Sequence, residues 1–428
     1  MSQALDFKIQ HTLPGTLART GVIKTSHGEI KTPCFVAAAT KATVKTLTNN
    51  ELTNIGVQAA LANTYHLLLQ PGVGIISKAG GLNRFMNYNN PTFTDSGGFQ
   101  IFSLPDVKIN DDGATFRSHL NGDKLQMTPE SSMQAQWKIG ADIHMAFDQL
   151  AKSNSKQDMR NAMEQTHRWL DRCIVEHERL VESHSPLRRA VGGSPIVVSG
   201  ESELRRVFSD DTRDDGLAER HGMTIGEASW PARDGLTELE HQQALYGIVQ
   251  GGTFLDLRQE SAKYMADKNL DGFGIGGVFV ADKLAEILTT VNNILPATKP
   301  KHLLGMGAEP LDLFIGVEHG IDTFDCVAPT RQARNGALYT HHGRINILNS
   351  KYKTDFSPID KDCQCYCCKN HNKAYLHHLF KANEVLGLVL ASIHNESFIV
   401  QTVDKIRNSI EDGDFDQFKS SFLASYHG

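Results

Sequence analysis

The densest chemical signal in the chain is a run of four cysteines, Cys363, Cys365, Cys367 and Cys368, within six residues. Thiolates this close in sequence supply three corners of a Zn²⁺ tetrahedron from one loop, and a later imidazole supplies the fourth. His371, His377, His378 and His394 are all available, spacing does not choose among them, and one cysteine must be spare. Four protein ligands leave no open coordination position, so the expected zinc is structural. The His341-His342 and His377-His378 pairs are read as ordinary surface or interface histidines, with no further metal assigned to them. A second group of candidates consists of polar residues that end apolar runs. Asp95, in Thr94-Asp95-Ser96-Gly97-Gly98-Phe99-Gln100, precedes two glycines that allow close backbone approach to a ligand. Asp148 in Phe147-Asp148-Gln149 and Gln250 in Gln250-Gly251-Gly252 offer a carboxylate and an amide, a pairing that suits a purine edge. Gly276-Gly277-Val278 offers bare backbone groups. Asp325, flanked by Phe324 and Cys326, is a candidate nucleophile or base, and Arg331 and Arg334 after it can hold phosphate or a base edge. Each of these motifs alone reads equally well as a turn cap or a rim ion pair. Their significance lies in whether the fold brings them together.

The elements that must position them are legible as eight short apolar runs: TPCFVAAAT, VQAALANT, PTFTDSGG, ADIHMAFDQ, ALYGIVQGG, DGFGIGGV, KHLLGMGAE and IDTFDCVAPT. Segments with helical spacing separate most of them, including 157–180, where Met159, Met163, Thr166, Leu170 and Ile174 recur every three or four residues, and also 255–268 and 308–320. Alternation of strand and helix eight times predicts an α/β fold of the (β/α)8 TIM-barrel type, in which chemistry sits at the C-terminal strand ends. An open doubly wound sheet would place a glycine-rich turn after its first strand, and Lys41-Ala42-Thr43-Val44 is no such turn. In the barrel, Asp95, Asp148, Gln250, Gly277 and Asp325 all face one mouth, and one shared site is more probable than five coincident caps. Two regions fall outside the pattern: a stretch at about 183–239, rich in Gly, Ser, Arg and Asp and read as a surface insertion, and the C-terminal region from about Phe356.

The 428 residues carry 40% hydrophobic and 21% charged side chains, a globular composition that excludes disorder and fibre. With 43 Lys+Arg against 49 Asp+Glu the net charge is -6, so any nucleic acid must be met by a local patch. The N-terminus has no basic start followed by an apolar run, and no apolar stretch is long enough to cross a bilayer, so a cytoplasmic protein without a membrane partner is expected.

Taken in order, TDSGGFQ, MAFDQ, YGIVQGG, GIGGV, FDCVAPTRQARNG, CQCYCC, and AYLHHLF with SIHNES resemble the bacterial-type tRNA-guanine transglycosylases, across most of residues 10–425 except the insertion. The resemblance implies a barrel over 1–355 with N-terminal strands, interrupted at about 183–239, then an inserted zinc-binding subdomain over 356–400 and a C-terminal helical segment, 401–428, packed on the barrel. It implies exchange of guanine at wobble position 34 of GUN-anticodon tRNAs, those for Asp, Asn, His and Tyr, for a free 7-deazaguanine base in queuosine biosynthesis. By motif, Asp325 would be the nucleophile and Asp95 the general acid/base. Ser96, Phe99, Asp148, Gln250, Gly276, Gly277 and Val278 would bind the base, and Arg331 and Arg334 the tRNA. Cys363, Cys365, Cys368 and His394 would hold one structural Zn²⁺ per chain, with Cys367 spare. Val280, where members using the larger queuine have a smaller residue, favours preQ1 as the incoming base. A homodimer is also implied. Basic residues for tRNA lie close in sequence at Arg331, Arg334, Arg344, Lys351, Lys353, Lys369 and Lys373. Two alternatives are a non-catalytic RNA-binding partner subunit, disfavoured by the presence of both carboxylates, and a deazaguanine-inserting enzyme acting on DNA, disfavoured by the TRQARNG segment.

Overall fold

The computed structural model describes residues 4–184, 242–277 and 281–427. The expected insertion lies almost wholly outside the described residues, as do Val278 and Val280. Each of the eight apolar runs contains one short strand: Cys34–Ala38, Ala60–Asn63, Thr92–Asp95, Ile143–Met145, Ala244–Val249, Gly272–Ile275, Lys301–Leu303 and Thr323–Cys326. They are parallel and close into one barrel, the eighth strand pairing with the first through Asp325↔Val36 and Cys326↔Ala37. Helices flank the barrel, so the chain has the (β/α)8 architecture that the alternation predicts.

The two-residue period of each strand sorts its side chains between two cores. Cys34, Val36, Leu61, Phe93, Ile143, Met145, Tyr246 and Ile248 fill the inside, together with Leu5, Ile23 and Ile30 from the N-terminal segment. Phe35, Ala37, Phe273, Ile275 and Phe324 belong to the larger core that also holds the helices' buried faces. The antiparallel N-terminal sheet, Asp6–Thr12, Arg19–Thr25 and Gly28–Thr32, is tied to the strand start by a buried fork. In it, Arg19 donates from Nε and Nη2 to the two oxygens of Asp322, at 2.9 and 2.6 Å. Bidentate geometry and burial make this a specific tether.

The helix predicted over 157–180 spans Lys156–Ser183, with Ser155 capping it by accepting the Asp158 N–H at 3.1 Å. Met159, Met163, Thr166 and Leu170 are buried along its inner stripe. The C-terminal region begins with the hairpin Ala337–Thr340 and Gly343–Asn346 and ends in helices Val385–Asp412 and Phe415–His427. Helix Val385–Asp412 is buried on most of its circumference from Leu390 to Val403, packs on helix Ala328–Arg334 and the first barrel strand, and runs through the expected division at 400–401. Among the described residues no helix is long and apolar enough to cross a membrane.

Candidate active site and metal centre

The strand ends carry the acids the sequence singles out. Asp95 closes the third strand. Its Oδ1 accepts the backbone N–H groups of Thr64 at 3.0 Å and Gly97 at 3.1 Å, and its Oδ2 accepts the Asn63 side-chain amide. Asn63 and Thr64 lie at the end of the neighbouring second strand, so two adjacent strands fix this carboxyl. Burial pushes its pKa up to about 7, against the pull of the three donors, and the Asp325 charge pushes the same way.

Asp148 lies just past the fourth strand. Ser96 donates its hydroxyl to Oδ1 at 3.0 Å and Gln250 its side-chain N–H to Oδ2 at 2.7 Å, which brings three of the expected residues into contact. Burial again dominates and raises this carboxyl to about 6. Gly277 has φ of 99°, and a Cβ there would come within 3.1 Å of Gln250 Oε1, so glycine keeps the sixth-strand backbone against the amide. Gly276 donates its N–H to the Val249 carbonyl at 3.1 Å, extending the sheet to this edge. Phe99, in the short helix that follows Asp95, leaves 64% of its surface exposed. Such exposure of a ring beside polar acceptors suits a stacking platform for a flat ligand.

Asp325 lies in the eighth strand. Its Oδ1 accepts the Gly305 N–H at 2.9 Å and lies 3.1 Å from His302 Nε2. On helix Ala328–Arg334, Arg331 is exposed and Arg334 half-buried; Arg334 Nη1 is buried without a hydrogen bond, and burial, reinforced by the Arg331 charge, lowers its pKa. Neither side chain has an acidic partner among the described residues, so both are available to a polyanion.

Four contributors escape the motif reading. Asn63 and Thr64 end the second run and His302 lies in the seventh strand, with no accompanying motif. The only signal for them is polarity on a barrel strand. Arg258 is the fourth. Fully buried on helix Leu255–Ala266, it donates from Nε to the Gly252 carbonyl at 2.8 Å and from Nη1 to Val249 at 2.9 Å, pinning the Gln250-Gly251-Gly252 turn, while burial brings its pKa down to about 9. Nothing in the local sequence reveals that role.

The cysteine cluster closes on a single histidine. His394 Nδ1 lies 3.7, 3.6 and 3.3 Å from the Sγ atoms of Cys363, Cys365 and Cys368, and all four donor atoms fall within 4.8 Å of one another in a buried setting. Bonds of about 2.3 Å to sulfur and about 2.0 Å to nitrogen give tetrahedral S···N edges of about 3.5 Å, so the spacing fits a divalent ion. His394 Nε2 donates to the Tyr339 carbonyl at 2.6 Å, which presents Nδ1 to the sulfurs. His377 is engaged by the Ile347 carbonyl and His371 stacks on Tyr375, which removes both from the choice left open by spacing. Cys367 is fully buried but not in the group.

Comparison with known proteins gives a consistent result. A family profile described as queuine tRNA-ribosyltransferase matches residues 15–232 and 223–428. A queuine tRNA-ribosyltransferase of Halothermothrix orenii is 39% identical over 428 residues, covering 99% of this chain and 98% of that protein. One from Pelotomaculum thermopropionicum is 39% identical over 430 residues, covering 99% and 100%. Another, from Caldanaerobacter subterraneus, is 40% identical over 418 residues, covering 96% and 95%.

Proposed function

Because the chain belongs to the queuine tRNA-ribosyltransferase family, we propose that it is a pentosyltransferase that exchanges guanine at wobble position 34 of GUN-anticodon tRNAs for a 7-deazaguanine. The observation that carries this reading is the presence at one barrel mouth of two separately held carboxylates, Asp95 and Asp325, beside the Ser96–Asp148–Gln250 array. In this reading an Asp325 oxygen bonds to C1′ of the ribose as the C1′–N9 bond breaks, and the electron pair leaves with guanine. Asp95 in its neutral form gives the departing base a proton. The resulting carboxylate removes the N9 proton of the incoming base, which then attacks C1′ and frees Asp325. Two displacements at C1′ retain its configuration.

Asp148 and Gln250 read the hydrogen-bonding edge of the base with the Gly277 N–H, between Gly276 and Val278, while Ser96 orients Asp148 and Phe99 stacks on the ring. Arg331 and Arg334 take the anticodon base that follows. Cys363, Cys365, Cys368 and His394 hold a structural Zn²⁺, which cross-links the C-terminal region; it takes no part in the exchange because its ligands complete the coordination. We further assign preQ1 as the incoming base, a cytoplasmic homodimer as the working form, and a barrel over 1–355 followed by a zinc subdomain, 356–400, and a helical segment, 401–428, that share the continuous helix Val385–Asp412.

The test is incorporation of labelled guanine into an unmodified GUN transcript, with preQ1 and queuine as competitors and a transcript with adenine at the wobble position as control. Incorporation confined to position 34 is expected, with preQ1 the stronger competitor. Asp325→Asn should abolish the covalent tRNA adduct. An adduct that survives that change moves the nucleophile elsewhere.

A further inference from the structure

The surroundings of Asp325 are asymmetric. Oδ1 is met by the Gly305 N–H at 2.9 Å and by His302 Nε2 at 3.1 Å, whereas Oδ2 makes no hydrogen bond to any described residue. The Asp325 side chain is 13% exposed and the His302 side chain 0%, so the histidine approaches from the barrel interior and leaves the other oxygen toward the mouth. His302 stands opposite Thr323 in the pairing of the seventh and eighth strands, and Thr323 and Asp325, two residues apart on one strand, share a face. The ring therefore touches both: Nδ1 lies 2.9 Å from Thr323 Oγ1, and the imidazole stacks on Phe93 with centroids 5.5 Å apart.

A carboxylate only accepts, so Nε2 carries the hydrogen that faces Oδ1. Nδ1 is left to the Thr323 hydroxyl, which can donate or accept. The ring is fully enclosed, held on both nitrogens and stacked on Phe93, so its place in the site is fixed.

We propose that His302 is a positioning residue for the nucleophile: with the Gly305 N–H it clamps Asp325 Oδ1 and so designates Oδ2 as the atom that bonds to C1′. The proposal rests on the base-exchange reading above. Two donors on one oxygen stop rotation of the carboxylate about its Cβ–Cγ bond, and the remaining oxygen is presented without a hydrogen bond that attack would have to break. Without the clamp the carboxylate samples several orientations, and a misplacement of about 1 Å costs on the order of 100-fold in rate. A histidine that merely fills the barrel would have no such kinetic effect.

The experiment measures single-turnover formation of the covalent adduct on a GUN transcript by full-length His302→Leu, His302→Gln and Thr323→Val enzymes, with KM for tRNA and melting temperature measured in parallel. His302→Leu should form the adduct about 100-fold more slowly with KM for tRNA nearly unchanged. His302→Gln, whose amide N–H can meet Oδ1, should recover most of the rate, and Thr323→Val should fall between. A His302→Leu enzyme that forms adduct at the parental rate overturns the proposal. Should that variant fail to fold, Thr323→Val decides: an unchanged adduct rate overturns the proposal as well. If the parental enzyme itself forms no adduct, it is the base-exchange reading that fails, which separates the two outcomes.

Discussion

Asp95 and Asp148 are both half-buried carboxyls, the proposed exchange uses them at different moments, and their raised pKa values give each a separate pH signature. In the proposed exchange Asp95 must be neutral to protonate the departing guanine and ionised to take the proton of the incoming base. With its pKa near 7, the rate of exchange should peak near that pH and fall by about tenfold per pH unit well to either side. Asp148 must be ionised to accept from the base edge, so KM for the free base should rise below about pH 6 while KM for tRNA stays level. A pH–rate profile flat from 5 to 8 would contradict both assignments. The same shifts act on stability. A carboxyl raised from 3.8 holds its proton more tightly in the folded state, so its stabilising contribution is complete below pH 4 and is lost as pH rises through about 6. Asp148→Asn should therefore raise the melting temperature at pH 8, by about 1–2 kcal/mol of stability after allowing for its partial exposure, and have little effect at pH 4. Thermal melts at the two pH values check this. At this scale the sequence was informative wherever a polar residue ended an apolar run. It was silent on His302 and Arg258, because each acts on a partner brought close only by barrel closure or by the turn it pins, and Asn63 ended a run without a motif to single it out.

Elements were more legible than their partners. All eight apolar runs contain a barrel strand because a strand between two buried faces must be apolar on both, and its polar terminus must lie at the mouth. The three-stranded sheet of Lys108–Ile109, Ala114–Arg117 and Lys124–Met127 left no comparable trace, since its strands have two to four residues and half-exposed faces. The choice among four histidines was also beyond spacing. It is made by helix Val385–Asp412, which carries His394 beneath the cysteine loop while packing on helix Ala328–Arg334. A metal held by these four residues would join a loop to the helix that supports the two arginines. Cys367→Ser should retain one zinc per chain by elemental analysis, whereas Cys368→Ser should lose it and lower the melting temperature. Loss of zinc from the Cys367 variant would show the ligand set to be wrong.

For the whole molecule, a net charge of -6 leaves tRNA to be met locally. The basic cluster is smaller in space than in sequence: Arg344 is paired with Glu309 and Lys373 with Asp355, while Arg331 and Arg334 keep no acidic partner among the described residues. Each arginine that meets a phosphate or base should contribute about one unit to the slope of log affinity against log salt. Arg331→Ala and Arg334→Ala should each flatten that slope by about this much, measured by tRNA titration at several salt concentrations. A parental affinity indifferent to salt would remove the electrostatic contribution altogether.

The closure of the barrel has a consequence for when the enzyme comes to exist. Asp325 lies on the strand that seals against the first, pairing with Val36 roughly 290 positions earlier, so this pairing closes a very long loop. A nascent chain on the ribosome has already emitted Asp95 and the base-reading loops long before that strand emerges. Until it emerges, the proposed nucleophile is absent and the barrel that aligns the other strand ends is open. If Asp325 is the nucleophile, any product cut short of the eighth strand lacks both the residue that opens the glycosidic bond and the strand that seals the barrel.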